Sequence, residues 1–394
     1  MRSITQEMAA PAPRCPPAFA LRPKNGAASR YADGKVPITT LIEDYIDQRL
    51  EVDGDFRAFV EARRSRVTYR LVAHHLRFAL AHFIPEVLIH SQAQDVRLGR
   101  AHYDRGNDFF GWFLGPRMIY TSAFFTAPGQ TLEEAQDDKM KVVAQKLQLR
   151  AGDRYLDVGC GWGTLVATAA RDHAVDATGI TIAEKGAAYG REQIERMGLS
   201  GRARILTVDY RDIPPAVYDK ISCLEMAEHV GIRRFRRFLR QIHDLLADDG
   251  IFFLQIAGLR ARPGAFAFHL EDLVWGLFMN EHIFPGADAS MPLSFVVRNL
   301  EAAGFEIHSV ENIGIHYALT IGRWYENWMA HRAEVVAAYG ERWFRLWQVF
   351  LGWSVAIATQ GSSTCFQVVA NKNLDGYDRM RWVGAMGLGE RRPH

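Results

Sequence analysis

The sequence predicts an α/β chain built on a Rossmann-like doubly wound sheet, and three observations predict it. The run Leu156-Asp157-Val158-Gly159-Cys160-Gly161-Trp162-Gly163 ends an apolar segment in an acid and a triple-glycine turn. Further short apolar segments then recur with helix-length stretches between them. The chain has 394 residues, 48% hydrophobic and 23% charged, which is ample for one large core with appendages.

The first element is a strand ending at Asp157 and Val158, and Thr164 to Ala170, small and apolar, reads as the helix behind the turn. Glycine at 159, 161 and 163 permits backbone angles and close contacts that a Cβ would block, at the carboxyl end of a strand where open α/β sheets bind ligands. The dinucleotide fingerprint GxGxxG needs glycine where Thr164 stands, and GxxxxGK[ST] is missing, so hydride and nucleotide-triphosphate chemistry fall behind. A tight turn without a ligand is the plain alternative.

The later strands are Ala174 to Thr181, Ala203 to Val208 with Asp209 at its end, Tyr218 to Leu224, and Ile251 to Gln255. Right-handed crossovers bring the loops after parallel strands to one rim. Asp157, Thr181, Asp209 and the segment Glu225-Met226-Ala227-Glu228-His229 are therefore expected to converge there. A sulfonium cofactor carrying adenosine suits such a rim, with carboxylates for its hydroxyls and amino group, apolar walls for its base, and bare backbone at the turn. Each acid alone also reads as a helix cap or turn residue.

The segments HYDRGNDFFGWFLGPRMIYTSAFF from His102, LDVGCGWG, GITIAEK, EMAEHVG, HIFPGADASMP at 282–292, GIHYALTIGRWYENW at 314–328 and TCFQVVANK at 364–372 carry a resemblance. Together the chain resembles the cyclopropane-fatty-acyl-phospholipid synthase and mycolic acid cyclopropane synthase family of S-adenosylmethionine-dependent methyltransferases, over roughly 270 of 394 residues. FLQIAGLR, PGADASMPL and QGSSTCFQ look most like its sphingolipid C9-methyltransferase branch. The resemblance implies a class I methyltransferase sheet over 101–380, with an N-terminal helical region over 36–100 and a lipid-binding insertion at about 258–292.

It also implies site residues. Tyr120, Thr121, Gly159, Gly161, Thr181, Asp209 and Tyr210 match positions that hold the cofactor, and Asp157, Cys160, Trp162 and Gly163 complete the turn around it. The family keeps a bicarbonate ion beside the reacting carbon, held by residues that match Ser122, Glu228, Gln255 and Tyr317. Three departures stand out: Gly186 replaces a usual glutamine, Ser122 a usual cysteine, and Gln255 a usual histidine.

An isolated alkene is a weak nucleophile, but attack on an activated methyl leaves a carbocation next door, which needs an anionic or aromatic neighbour. A base that takes a proton from the new methyl closes a cyclopropane. A base elsewhere leaves a branched alkene. With two of the four ion-holding residues changed, the expectation is a methyl branch on an unsaturated lipid, with Glu228 as the anion, acting directly or through bicarbonate, and Tyr317 orienting it. His229 reads as a second base or as a packed core histidine. The other readings are a cyclopropane synthase, a small-molecule N-methyltransferase of the coclaurine type, which shares the HYD and LDVGCGWG blocks, and a catalytically silent cofactor-binding scaffold.

Net charge is only +2, so nothing calls for nucleic acid. Cys15, Cys160, Cys223 and Cys365 show neither CxxC spacing nor a zinc pattern, which points to a reducing compartment and no metal. Cys365 reads as a buried inert thiol, although its segment lies near the family's substrate region. Residues 1–35, with net charge +4 and five prolines, read as a flexible leader. They lack a secretory apolar core, and an organelle transit peptide is the alternative. Residues 381–394 read as a flexible tail.

From Phe56 to Ser91, Arg57, Arg63, Arg64, Arg66, Arg70 and Arg77 mix with apolar residues, as in a basic amphipathic helix on an anionic bilayer or a solvated face packed on the main domain. Arg233, Arg234, Arg236, Arg237 and Arg240 form a second basic cluster. The expected location is cytoplasmic, peripheral at a membrane surface, with an unsaturated lipid as substrate and the oligomeric state open. The insertion, with Phe266, Phe268, Leu273, Trp275, Leu277, Phe278 and Met279, is expected to wall the lipid, with His282 and Phe284 gating it. The later aromatics, from Trp324 to Trp353, read more simply as core.

Overall fold

A computed structural model describes residues 19–24, 26–31, 34–71, 77–78, 105–261, 269–287, 289–374 and 379–382. The HYD block at 102–104, Phe266, Phe268 and most of 72–104 lie outside the described residues. The chain divides into two compact units, Met1–Thr68 and Tyr69–His394.

The first unit holds β1 (Ala20–Pro23), β2 (Val36–Pro37), α1 (Ile38–Ile46), β3 (Leu50–Asp53), α2 (Phe56–Glu61) and β4 (Val67–Thr68). β1 pairs antiparallel with β3, and β2 parallel with β4. Part of the stretch expected to be leader is thus strand, and the region expected to be helical is mixed. Around Asp44, fully buried, gather Arg30, Tyr31 and Arg49. The basic run from Phe56 does not continue as one helix: α2 ends at Glu61, where buried Arg63 donates back to the Val60 carbonyl at 2.8 Å, and a 3-10 turn leads into β4. Most of the remaining stretch, from Val72 to Ser91, lies outside the described residues.

Among the described residues, the second unit holds α3 (Asn107–Leu114) and α4 (Leu132–Leu147), followed by β5 (Arg154–Val158), α5 (Thr164–His173), β6 (Asp176–Thr181), α6 (Glu184–Arg196) and β7 (Ala203–Thr207). Then come β8 (Tyr218–Leu224), α7 (Ile232–Leu245), β9 (Leu246–Leu259), α8 (Leu270–His282), α9 (Leu293–Ala302) and β10 (Phe305–Asn312). The chain closes with α10 (Gly314–Ala330), α11 (Arg332–Tyr339), α12 (Glu341–Thr359) and β11 (Ser363–Lys372). One seven-stranded sheet runs β10-β11-β9-β8-β5-β6-β7. Its β5 to β9 members are parallel, and β11 and β10 join antiparallel at one edge.

This is the doubly wound class I methyltransferase sheet that the sequence predicts, with its strand order reversing between β5 and β8, the switch point where such sheets bind ligands. Alternation along the strands builds both faces. Phe252 and Leu254 join Phe235, Phe238, Leu239 and Ile242 of α7, whereas Ile251 and Phe253 join Val143 and Leu147 of α4 and Val166 of α5. The last parallel strand is longer than the predicted five residues, because it pairs with β11 as far as Leu259.

On α7, the apolar stripe Phe235, Phe238, Leu239 and Ile242 is buried, and Arg233, Arg236, Arg237 and Arg240 are exposed. The aromatics of α10 and α12 form core with α3: Phe109, Phe113, Trp328 and Trp347 pack ring to ring with centroids 4.9–6.1 Å apart. In the insertion, Trp275, Leu277 and Phe278 are buried and Leu270 and Leu273 exposed. Among the described residues, no helix is long and apolar enough to cross a membrane.

Candidate active site

The carboxyl ends of β5, β6, β7 and β8 open into a cleft of about 1380 Å³, counted to its mouth. Ten of the eleven residues expected around a cofactor line it: Tyr120, Thr121, Asp157, Gly159, Cys160, Gly161, Trp162, Thr181, Asp209 and Tyr210. His229 lines it too, which separates it from a purely packed core histidine.

Gly161, at φ +55°, would aim a Cβ into open space, so the turn offers bare backbone to the cleft. Gly163, the eleventh, lies behind the wall: its φ is +78°, and a Cβ there would stand 2.3 Å from Ile205 Cδ1, so this glycine serves the packing of α5 on β7. Gly186 does line the cleft, and a Cβ on it would approach the Gly161 carbonyl oxygen at 2.9 Å. The usual glutamine contact is exchanged for close packing of α6 on the turn.

The acids are held from within the protein. Asp157 accepts from Ser222 Oγ at 2.6 Å, and Ser222 is itself bonded to the Tyr155 hydroxyl at 2.6 Å. Burial raises the Asp157 carboxyl to about 6, against the lowering effect of Ser222 and Lys139. Asp209 caps a short 3-10 turn and accepts from Arg211 on both oxygens, at 2.6 and 2.8 Å. A cofactor would share that carboxylate with Arg211 rather than own it. Trp162 is fixed by its Nε1–H to Asn107 Oδ1 at 2.8 Å and by packing on Phe110.

The residues that the resemblance assigns to bicarbonate gather at the end of β8. Ser122, Gln255 and Glu228 are buried, and Tyr317 is half-buried beside them. The donors of Ser122 and Gln255, however, already have a partner. The Ser122 N–H donates to Glu225 Oε1 at 2.7 Å, and Gln255 Nε2 donates to the same oxygen at 2.6 Å. Gln367 Nε2 donates to Gln255 Oε1 at 2.9 Å, so both ends of that amide are engaged. Ser122 Oγ donates to the Ala123 carbonyl at 3.1 Å, and the Cys365 thiol lies 3.7 Å from Glu225 Oε1. Bicarbonate does not fit these donors as they stand.

Glu228 sits differently from the expected anion. Its Oε1 accepts from the Ala257 N–H at 2.6 Å, and its buried Oε2 has no hydrogen-bond partner among the described residues. Burial, then the charge of Glu225, raises it to about 8, so near neutral pH Glu228 holds a proton. No hydrogen bond joins Tyr317 to Glu228 among the described residues. The Tyr317 phenol is raised well above its ordinary value by burial and by Glu225, Cys365 and Glu228.

Two residues of the cleft wall, Glu225 and Lys139, carry chemistry that the sequence reading left without a role. The signal for Glu225 was its place one residue past β8, at the rim; for Lys139, a cation among the buried positions Ala135, Lys139 and Val143 of α4. Lys139 Nζ donates to Thr121 Oγ1 at 2.6 Å, and burial lowers its ammonium to about 8 although Glu225 and Asp157 oppose this.

A class I sheet whose switch-point cleft joins exposed glycine backbone to an acid-lined rim is the site of an S-adenosylmethionine-dependent methyltransferase. The chain belongs to the mycolic acid cyclopropane synthetase family, whose model matches residues 90–368. It is 48% identical over 368 residues to the sphingolipid C9-methyltransferase of Komagataella phaffii, covering 90% of this chain and 74% of that protein. It is similar to the crystal structure of mycolic acid cyclopropane synthase CmaA1 complexed with SAH and CTAB, at 26% identity and a TM-score of 0.67 over 70% of this chain and 98% of that one. The coclaurine N-methyltransferase bound to N-methylheliamine and SAH shares the fold alone, at 19% identity and a TM-score of 0.68 over 85% of this chain and 99% of that one.

Proposed function

We propose that this enzyme methylates a double-bond carbon of an unsaturated sphingolipid and leaves a methyl branch rather than a ring. The observation that carries this reading is the pair of acids beside Tyr317, half-buried Glu225 in the wall of the cofactor cleft and buried Glu228 behind it. The name of the Komagataella relative supports the sphingolipid.

When bound, S-adenosylmethionine supplies a methyl group activated by its sulfonium. Gly159, Gly161, Thr181 and Tyr210 line the space that receives it, with Asp157 and Asp209 as acceptors. Pro285 and Gly286 close one side of the cleft, and Phe284 behind them packs near Tyr120, His229 and Phe350. These apolar groups keep water away from a developing carbocation, and the carboxylate wall stabilises it. The exposed arginines of α7 suit anionic lipid headgroups, so the enzyme works peripherally at a membrane surface.

Purified protein given S-adenosylmethionine and an unsaturated ceramide is expected to yield a product heavier by one methylene whose NMR spectrum keeps the alkene and gains a branch methyl. Cyclopropane resonances instead would overturn the branch, and transfer only to small amines would overturn the lipid.

A further inference from the structure

We propose that Glu225 is the enzyme's own proton acceptor, standing where the family resemblance places a bicarbonate ion, so that methyl transfer needs no such ion. This rests on the alkene-methylation reading above.

Three observations meet at this side chain. The first is occupancy: Glu225 Oε1 takes the Ser122 N–H at 2.7 Å, the Gln255 amide at 2.6 Å and the Cys365 thiol at 3.7 Å, so one carboxylate uses the donors that an oxyanion would need. A second anion would have to displace Glu225 and then lie against it without compensation. The second is access. Glu225 lines the cleft itself, whereas Glu228, Ser122 and Gln255 are not among its lining residues. The third is backbone placement. Glu225 holds φ +50°, a conformation that side chains rarely adopt, and its N–H donates to the Gln255 carbonyl at 2.7 Å. Gln255 thus grips Glu225 by main chain and side chain, and such over-determined strain is a feature of working sites.

The neighbours differ in what opposes their burial. Burial raises both acids, but at Glu225 the Ser122, Gln255 and Cys365 donors and the Lys139 ammonium oppose it, whereas Glu228 has one donor, one partnerless oxygen and the charge of Glu225 beside it.

The proton balance is simple. The alkene π pair forms the new carbon–methyl bond, the carbon–sulfur pair stays on sulfur, and the neighbouring alkene carbon becomes cationic. A C–H bond beside that carbon then breaks, its pair re-forms the double bond, and the proton goes to a Glu225 carboxylate oxygen. Glu225 returns the proton to water through the cleft mouth when product leaves. No oxidant or further reactant is required.

The experiment uses the full chain in buffer stripped of carbon dioxide, with and without added bicarbonate. Wild type is expected to turn over equally in both. Glu225→Gln is expected to lose at least about 100-fold in turnover, the usual scale of a general base. Glu225→Gly, which suits the positive φ and opens the donor site, is expected to be inactive in stripped buffer and to recover with added bicarbonate or formate. Calorimetry with SAH, unchanged across the variants, shows that each folds and holds the cofactor. Line broadening of ¹³C-bicarbonate is expected with Glu225→Gly and not with wild type. Bicarbonate stimulation of wild type, bicarbonate binding to wild type, or near-normal turnover by Glu225→Gln would each overturn the proposal. Failure of wild type to methylate any unsaturated lipid in either buffer, with SAH still bound, overturns the alkene-methylation reading instead, and the ¹³C measurement then decides the occupancy claim by itself.

Discussion

Gln255 and Glu225 are joined twice: the Gln255 side chain donates to Glu225 Oε1 at 2.6 Å, and the Gln255 carbonyl accepts the Glu225 N–H at 2.7 Å. A residue in the middle of β9 therefore fixes both the backbone and the carboxylate of a residue just past the end of β8.

Gln255→Leu tests that coupling. It removes a charge-assisted bond worth roughly 1.5–3 kcal/mol and leaves Gln367 without its acceptor. Turnover is expected to fall about 10- to 100-fold, by the same arithmetic, while SAH affinity stays within about threefold. Steady-state kinetics beside calorimetry separate the two, and a parallel loss of both would reduce Gln255 to a structural residue.

Glu228 makes stability depend on pH in a stated direction. Its folded-state value is raised to about 8 from 4.5, so between those values the folded protein holds a proton that the unfolded chain has released. Stability therefore declines as pH rises through this window, and Asp157, raised to about 6, adds the same sign below that pH. Glu228→Gln, whose amide oxygen still accepts from Ala257, is expected to match wild type near pH 4.5 and to be more stable near pH 8.5, by on the order of 5 kcal/mol at most. Denaturant melts across that range measure it; a constant difference would remove Glu228 as the raised group.

Gly161→Leu places a side chain in the open space above the turn at φ +55°. The fold is expected to survive with a cost of about 1–2 kcal/mol, the penalty of a left-handed non-glycine residue. SAH affinity is expected to fall at least about 100-fold, or about 2.7 kcal/mol. Undiminished heat of SAH binding would move the cofactor away from this turn.

The exposed Arg233, Arg236, Arg237 and Arg240 predict flotation with anionic vesicles at low salt that weakens at high salt. Replacing two of them with glutamate is expected to abolish flotation without changing SAH affinity. Absence of binding at every salt concentration would remove the membrane-surface reading.

Much of the architecture was legible because its signals are local. The glycine turn at 159–163 marks where the parallel sheet opens, and the stripe Phe235, Phe238, Leu239 and Ile242 marks the buried side of α7. Within the basic run after Phe56, composition does not show that Arg63 turns inward to cap α2. Gly163 misled: a glycine required for packing looks, in sequence, like one required for a ligand.

The sequence by itself determined the doubly wound class, the cleft at the switch point and the family, because turn chemistry and periodicity act between near neighbours. Only the tertiary structure decided which of the two acids gathers donors and which is left with one. Ser122 reaches Glu225 across 103 residues and Gln367 reaches Gln255 across 112. Protonation depends on how many such distant donors meet each acid once water has been excluded, and that number exists only in the folded chain.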